Sequence, residues 1–177
     1  MQATQRFQTM PVPIAQTIRG EVSDPTSRYA VNLDWNGSRI NGRLGGWWFA
    51  EKISLERSPH GLIGFVTSRS VHLTVNVRLV GARLELLIAS RGETQQIEIV
   101  MSDRSTGIWR VQGCQPTPIH LEQTASGHVI HAGERRVSLN APSSPAWVVV
   151  SAGLVSLAAH QAVSTALLES LKELREH

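Results

Sequence analysis

Between Tyr29 and Asn140 the chain alternates apolar and polar positions, and after Ser144 it stops alternating. Tyr29, Val31, Leu33 and Trp35 take every second place, with Ala30, Asn32 and Asp34 between them. A period of two puts each set on its own face of a strand. Asn36-Gly37 follows at once, and both residues tolerate the positive φ of a tight hairpin, so a return strand through Ile40 and Leu44 is predicted. The most regular run is apolar at Val71, Leu73, Val75, Val77 and Leu79 and polar at His72, Thr74, Asn76 and Arg78. Gly81-Ala82 turns it into a partner strand carrying Leu84, Leu86 and Ile88. Shorter runs occur around Ile53–Leu55, Leu62–Val66, Ile97–Met101, Ile108–Val111, Ile119–Leu121, Val129–His131 and Val137–Leu139, separated by glycine, proline and serine turns. Met10 to Ile14 reads as an edge strand at best, because Pro11 and Pro13 cannot donate to a ladder. The pattern predicts a mainly β domain, an antiparallel barrel or sandwich of about 11–12 short strands.

The C-terminal segment has a different grammar. Ser144 is expected to cap a helix whose first position is Pro145. Beyond it, Trp147, Val148, Val149, Val150, Leu154, Val155, Leu157, Val163, Leu167 and Leu168 spread around the whole helical circle. A helix apolar on all sides must be buried on all sides, in protein or in lipid. Ala146 to Ala159 supplies only 14 residues before His160 and Gln161 interrupt, short of the roughly 20 that a span requires. Small residues at Ala152, Gly153, Ser156, Ala158, Ala159 and Ala162 let strands approach closely. One long hydrophobic helix, about 145–174, is therefore expected to sit centrally among the strands. The organisation predicted is a flexible arm over residues 1–10 and a single β-rich domain over 11–177.

The last strand, Arg135-Arg136-Val137-Ser138-Leu139, the loop Asn140 to Pro145 and the apolar run Ala146 to Ala159 resemble the tubby-like C-terminal domains. That superfamily includes the LURP-one-related proteins and the phospholipid scramblases. The resemblance covers residues 28–174 in layout and is close in wording over the last forty. It implies a strand leading through a short loop into a central helix, and a surface that binds phospholipid or phosphoinositide. Where the family carries an acidic residue late in that helix, this chain has His160. The Lys-x-Arg arrangement with which tubby domains read phosphoinositides has no counterpart here, Lys52-Ile53-Ser54 being no substitute.

Composition narrows the function classes. The 177 residues are 41% hydrophobic and 18% charged, with a net charge of +3. From Val137 to Leu168 no charged side chain occurs. Arginine outnumbers lysine by 15 to 2, a bias that fits a GC-rich bacterial genome, and the basic residues are scattered along the chain. A dispersed excess is a poor nucleic-acid signal, since phosphate binding needs charge gathered on one face. Cys114 is the only cysteine, so no internal disulfide forms. Met1 to Met10 lacks the basic-then-apolar order of a signal peptide, and a cytoplasmic location is expected, with membrane association implied by the resemblance.

No nucleophile elbow, phosphate loop, zinc-protease helix or dinucleotide fingerprint is present, so the expectation is a non-catalytic binding domain without cofactor. His120, His128 and His131 are read as surface residues rather than metal ligands, and His160 as a buried neutral imidazole with one hydrogen-bonded partner. The candidate ligand site is an anion patch. Arg39 and Arg43 share a strand face with Asn41 between them, and Arg57 or Arg69 could join them across the sheet to clamp phosphate. Trp47 and Trp48, one facing core and one nearer water, would sit at a lipid interface. The partner this implies is an anionic phospholipid or membrane surface. The alternatives are a single-stranded nucleic-acid module that uses the same arginines and tryptophans for charge and stacking, and a membrane-anchored scaffold for protein partners.

Overall fold

In the computed structural model, which describes residues 15–45, 50–90 and 96–176, the strands close on themselves. β1 (Gln16–Ser23), β2 (Arg28–Trp35), β3 (Arg39–Gly45), β4 (Ala50–Ser58), β5 (Gly61–Thr67) and β6 (His72–Val80) are followed by β7 (Arg83–Ser90), β8 (Gln96–Met101), β9 (Thr106–Val111), β10 (Thr117–Gln123), β11 (Gly127–Ala132) and β12 (Arg135–Asn140). Each pairs antiparallel with its sequence neighbour, and β1 pairs with β12, Val22 opposite Val137. The result is a closed up-and-down barrel of twelve strands. Closure removes the unpaired edges that an open sheet would expose.

Width explains what happens next. About eight strands make a barrel that its own side chains can fill, and width grows with strand number. Twelve strands leave a lumen that needs another occupant. A helix, about 10–12 Å across with its side chains, is the size of object that fits. Helix α1 (Ala146–Arg175) runs through the barrel, and every residue from Val148 to His160 is buried. The inward sides of the strands meet it with Ile18, Val31, Leu33, Ile53, Leu55, Val75, Leu86, Ile99, Val137 and Leu139.

The helix enters at the end of the barrel where Trp35 closes β2. There Trp147 packs edge-on against Trp35, ring centroids 6.5 Å apart. The expected cap is shifted by one residue. Pro145 occupies the N-cap, and its carbonyl accepts from Val148 N and Val149 N, while Ser144 makes no cap bond. Proline removes its own N–H from the orphan donors of the first turn, so the helix starts without a side-chain cap. Two buried hydroxyls are satisfied within the helix: Ser151 Oγ donates to Trp147 O at 2.6 Å and Ser156 Oγ to Ala152 O at 2.7 Å. Such back-bonding lets serine serve as a small core residue.

Glycines mark close approaches in the barrel wall and between wall and helix, Gly64 and Gly153 among them. At Gly64 on β5, a Cβ would lie well inside contact distance of the Ser54 carbonyl oxygen and 2.8 Å from Leu55 Cα on β4. The close approach of these strands depends on an absent side chain. At Gly153 a Cβ would meet Ile130 Cδ1 at 2.7 Å and Leu139 Cδ1 at 3.3 Å, so the helix lies close against β11 and β12.

The strands predicted between Tyr29 and Asn140 and the helix are present, β1 has no counterpart among the predicted strands, and one position departs from its expected face. Leu79, placed on the buried face by strict alternation, is 41% exposed because β6 runs past the barrel rim into its hairpin with β7. The edge strand expected at Met10 to Ile14 lies outside the described residues.

Candidate functional site

The helix leaves the barrel at the end opposite Trp35, and the chemistry gathers there. His160 is the last residue of its continuously buried stretch and is itself fully buried. The imidazole lies across from the turn between β1 and β2. Asp24 organises that turn. Its Oδ1 accepts from Thr26 N at 2.8 Å, Ser27 N at 2.8 Å, Thr26 Oγ1 at 2.9 Å and Ser27 Oγ at 3.1 Å. Burial pushes this carboxyl up, but the hydrogen bonds from Thr26 and Ser27 outweigh it and hold the pKa at about 2. Asp24 is thus a fixed negative charge at any ordinary pH.

Ser27 Oγ lies 2.9 Å from His160 Nε2. With the serine hydroxyl proton assigned to Asp24, the imidazole is the donor, through Nε2–H, to Ser27 Oγ. Nδ1 is then a buried acceptor, with no partner among the described residues. Tyr29 meets the imidazole edge-on, centroids 5.0 Å apart. Burial drives the His160 pKa below its ordinary value; the Asp24 carboxylate opposes that shift and the Arg135 guanidinium adds to it.

Serine, histidine and aspartate together invite comparison with a nucleophilic triad, and the geometry rejects it. In a triad the acid holds the imidazole nitrogen that faces away from the serine. Here Asp24 binds the serine itself, its other oxygen is 3.9 Å from the same Nε2, and among the described residues the far nitrogen has no carboxylate. The arrangement fixes a helix in a barrel mouth and does not activate Ser27. Glu51 on β4 also points inward near this mouth and is only 4% exposed. Burial raises its pKa, and its charge in turn raises that of Tyr29, after burial itself.

The four arginines of the expected anion patch fall into two groups. Arg39 pairs with Glu56 at 3.1 Å near the Trp35 end, where Arg57 N also bonds Ser38 O. Arg43 stands opposite Lys52, which stands opposite Thr67, so these two cations lie toward the end where the helix emerges. Arg69 is in the turn two residues past Thr67 at that same end. Arg39 and Arg43 do share the outward face of β3, with Asn41 between them bonded to Ser54. A single four-arginine clamp is not formed, because the residues sit at both ends of the strands. Trp47 and Trp48 lie outside the described residues. His120 stands opposite His131 across β10 and β11, and among the described residues no three potential metal donors gather.

Glu169, Lys172, Glu173, Arg175 and Glu176 mark in the sequence the return of the helix to water, and the feature that sequence reading missed is the row of exposed leucines among them. From Ser164 to Arg175 the helix continues beyond the barrel for about 18 Å at 1.5 Å per residue. Leu167, Leu168, Leu171 and Leu174 are 55%, 60%, 57% and 75% exposed. At 100° per residue Leu167, Leu171 and Leu174 form one stripe with Leu168 at its edge, and Glu169 and Glu173 lie on the other side. The spacing could have revealed this stripe, but the uniform apolarity of the preceding turns hides where the barrel ends. Comparison with protein-family models, curated proteins and solved structures finds no match.

Proposed function

We propose that this domain is a non-catalytic, lipid-binding module that docks on an anionic membrane surface through the end of the barrel from which the helix emerges. The observation that carries this reading is the overhang, an amphipathic stretch with four exposed leucines and Lys172 and Arg175 beside them. An interfacial helix lays its apolar face at the headgroup boundary with basic residues in the headgroups. Fully burying a leucine removes on the order of 100 Å² of apolar surface from water, at about 25 cal/mol per Å². Four leucines already part-covered would contribute roughly 6 kcal/mol before the costs of binding. Each lysine or arginine near an anionic surface adds about 1 kcal/mol.

Arg43, Lys52 and Arg69 at the same end support the reading. Like charges directly opposite on a sheet are destabilising, and phosphate headgroups would offset that cost. A lipid surface also fits the overhang better than a second copy does. The leucines expose on the order of 250 Å² of apolar surface, against about 800 Å² per partner in a standard interface. The tubby-like layout agrees with a lipid ligand, and the phosphoinositide specificity it implies is part of the proposal.

The test is co-sedimentation with vesicles of phosphatidylcholine alone and with one third phosphatidylserine. The intact protein is expected to partition at least tenfold more strongly onto the anionic vesicles, less so as salt rises. The L167Q/L171Q/L174Q variant is expected to lose at least tenfold of that binding while keeping its melting temperature. No partition onto either vesicle, combined with quenching of the tryptophans by a single-stranded oligonucleotide, would transfer the site to nucleic acid.

A further inference from the structure

The helix makes one side-chain hydrogen bond to the barrel among the described residues, and it is the contact between His160 Nε2 and Ser27 Oγ. Every other polar side-chain bond of the helix returns to its own backbone four residues earlier. This single polar tie sits where the buried part of the helix gives way to the overhang. A titratable group at that boundary, enclosed and held by a carboxylate-organised turn, has the makings of a switch.

We propose that the His160–Ser27–Asp24 contact is an acid-sensitive latch, which holds the last buried turn in the barrel mouth while the imidazole is neutral and opens when it takes up a proton. The groups facing His160 define the balance. Asp24 and Ser27 come from the β1–β2 turn, Tyr29 from β2 and Arg135 from β12, with Glu51 of β4 acting through Tyr29. A proton on Nδ1 creates a buried donor with no acceptor in place among the described residues and a cation near Arg135. Asp24, 3.9 Å away, compensates in part. Opening the mouth lets the imidazolium reach water.

The sign follows from the lowered pKa. The opened state binds the proton more readily, so latch stability is full above about pH 6.5, the ordinary value, and falls as pH drops from there toward the depressed value of the closed state. Asp24 stays ionised throughout that window. Glu51 has the opposite sign, because its raised pKa makes acid favour the closed state. In docking, opening frees the helix end and its leucines to settle into a headgroup layer, a consequence that rests on the lipid reading above.

Amide hydrogen exchange of residues 157–168 at about pH 7.5 and pH 5, corrected for intrinsic rates, reads the latch directly. In the intact protein, exchange is expected to quicken severalfold at the lower pH. His160→Gln keeps a bond to Ser27 but cannot be protonated, and its exchange is expected to ignore pH. Ser27→Ala is expected to exchange fast at both values. Exchange in the intact protein that does not respond to acid would overturn the latch, as would an unchanged response in His160→Gln. His128 is also shifted down by burial, so a response abolished by His128→Gln would overturn the latch too, even if His160→Gln failed to fold. Vesicle binding measured at both pH values separates the two ideas. Exchange that responds without any vesicle binding sinks the lipid reading alone, and pH-independent vesicle binding without an exchange response sinks the latch alone.

Discussion

Leu154→Ala is expected to lower the melting temperature by roughly 4–20 °C, while Leu171→Ala on the same helix shifts it by less than about 2 °C. Leu154 is fully buried in the lumen, and Leu171 is 57% exposed on the overhang. Removing a buried leucine costs the transfer energy of its methyl groups plus the cavity left behind, about 2–5 kcal/mol. For a chain of this size each kcal/mol moves the midpoint about 2–4 °C. A fixed barrel wall collapses poorly onto a void, so the upper half of that range is the better expectation. An exposed leucine away from any special feature is worth at most about 0.5 kcal/mol. Thermal unfolding followed by circular dichroism checks both variants. Equal effects at the two positions would mean that the helix is not divided into a core part and an outer part.

Gly64→Val should prevent folding. The new Cβ would press into the Ser54 carbonyl and stand 2.8 Å from Leu55 Cα, and both are backbone atoms that no rotamer change can move. The β4–β5 pairing through Ser54–Phe65 and Leu55–Gly64 would have to part, taking ladder bonds and the buried Leu55 with it. A cost above about 4 kcal/mol is the range reserved for such named disruptions. Gly153→Ala offers the contrast. Its Cβ meets side-chain atoms of Ile130, Leu139 and Val137 and no backbone, and the ends of Ile130 and Leu139 can shift, so a loss of only about 1–3 kcal/mol is expected. Soluble yield and urea midpoint distinguish the two. A well-folded Gly64→Val protein would show that the barrel does not need the close approach of β4 and β5.

The strands were legible because one-sided burial writes itself as alternation. Leu73, Val75 and Val77 are all buried and Thr74, Asn76 and Arg78 all face out. Leu79 breaks the rule because it lies past the rim, and rim position is not a property of local sequence. The choice of barrel over sandwich was open, since it depends on the pairing of β1 with β12, from opposite ends of the described strands. The helix was legible as a core element from its lack of a polar face, but its exit point was not, because apolar residues continue from the lumen into the overhang. The candidate site was the least legible part. Asp24-Pro25-Thr26-Ser27 reads only as a turn, and its contact with His160, 133 residues away, exists only once the barrel has closed around the helix. Scattered arginines likewise gave no measure of where register across β3, β4 and β5 would place Arg57 and Arg69 relative to Arg39 and Arg43.

The central claim is that the helix is the core of the barrel, and truncation after Asn140 tests it most directly. The shortened chain, expressed beside the full one, would be compared by near-ultraviolet circular dichroism and cooperative unfolding. A twelve-stranded barrel without its filling has apolar inward faces with nothing to cover them, so loss of the near-ultraviolet signal, loss of cooperativity and aggregation are expected. Strands that remain folded, unfold cooperatively and gain solubility would contradict the account, and would make the helix an appendage rather than the element around which the barrel closes.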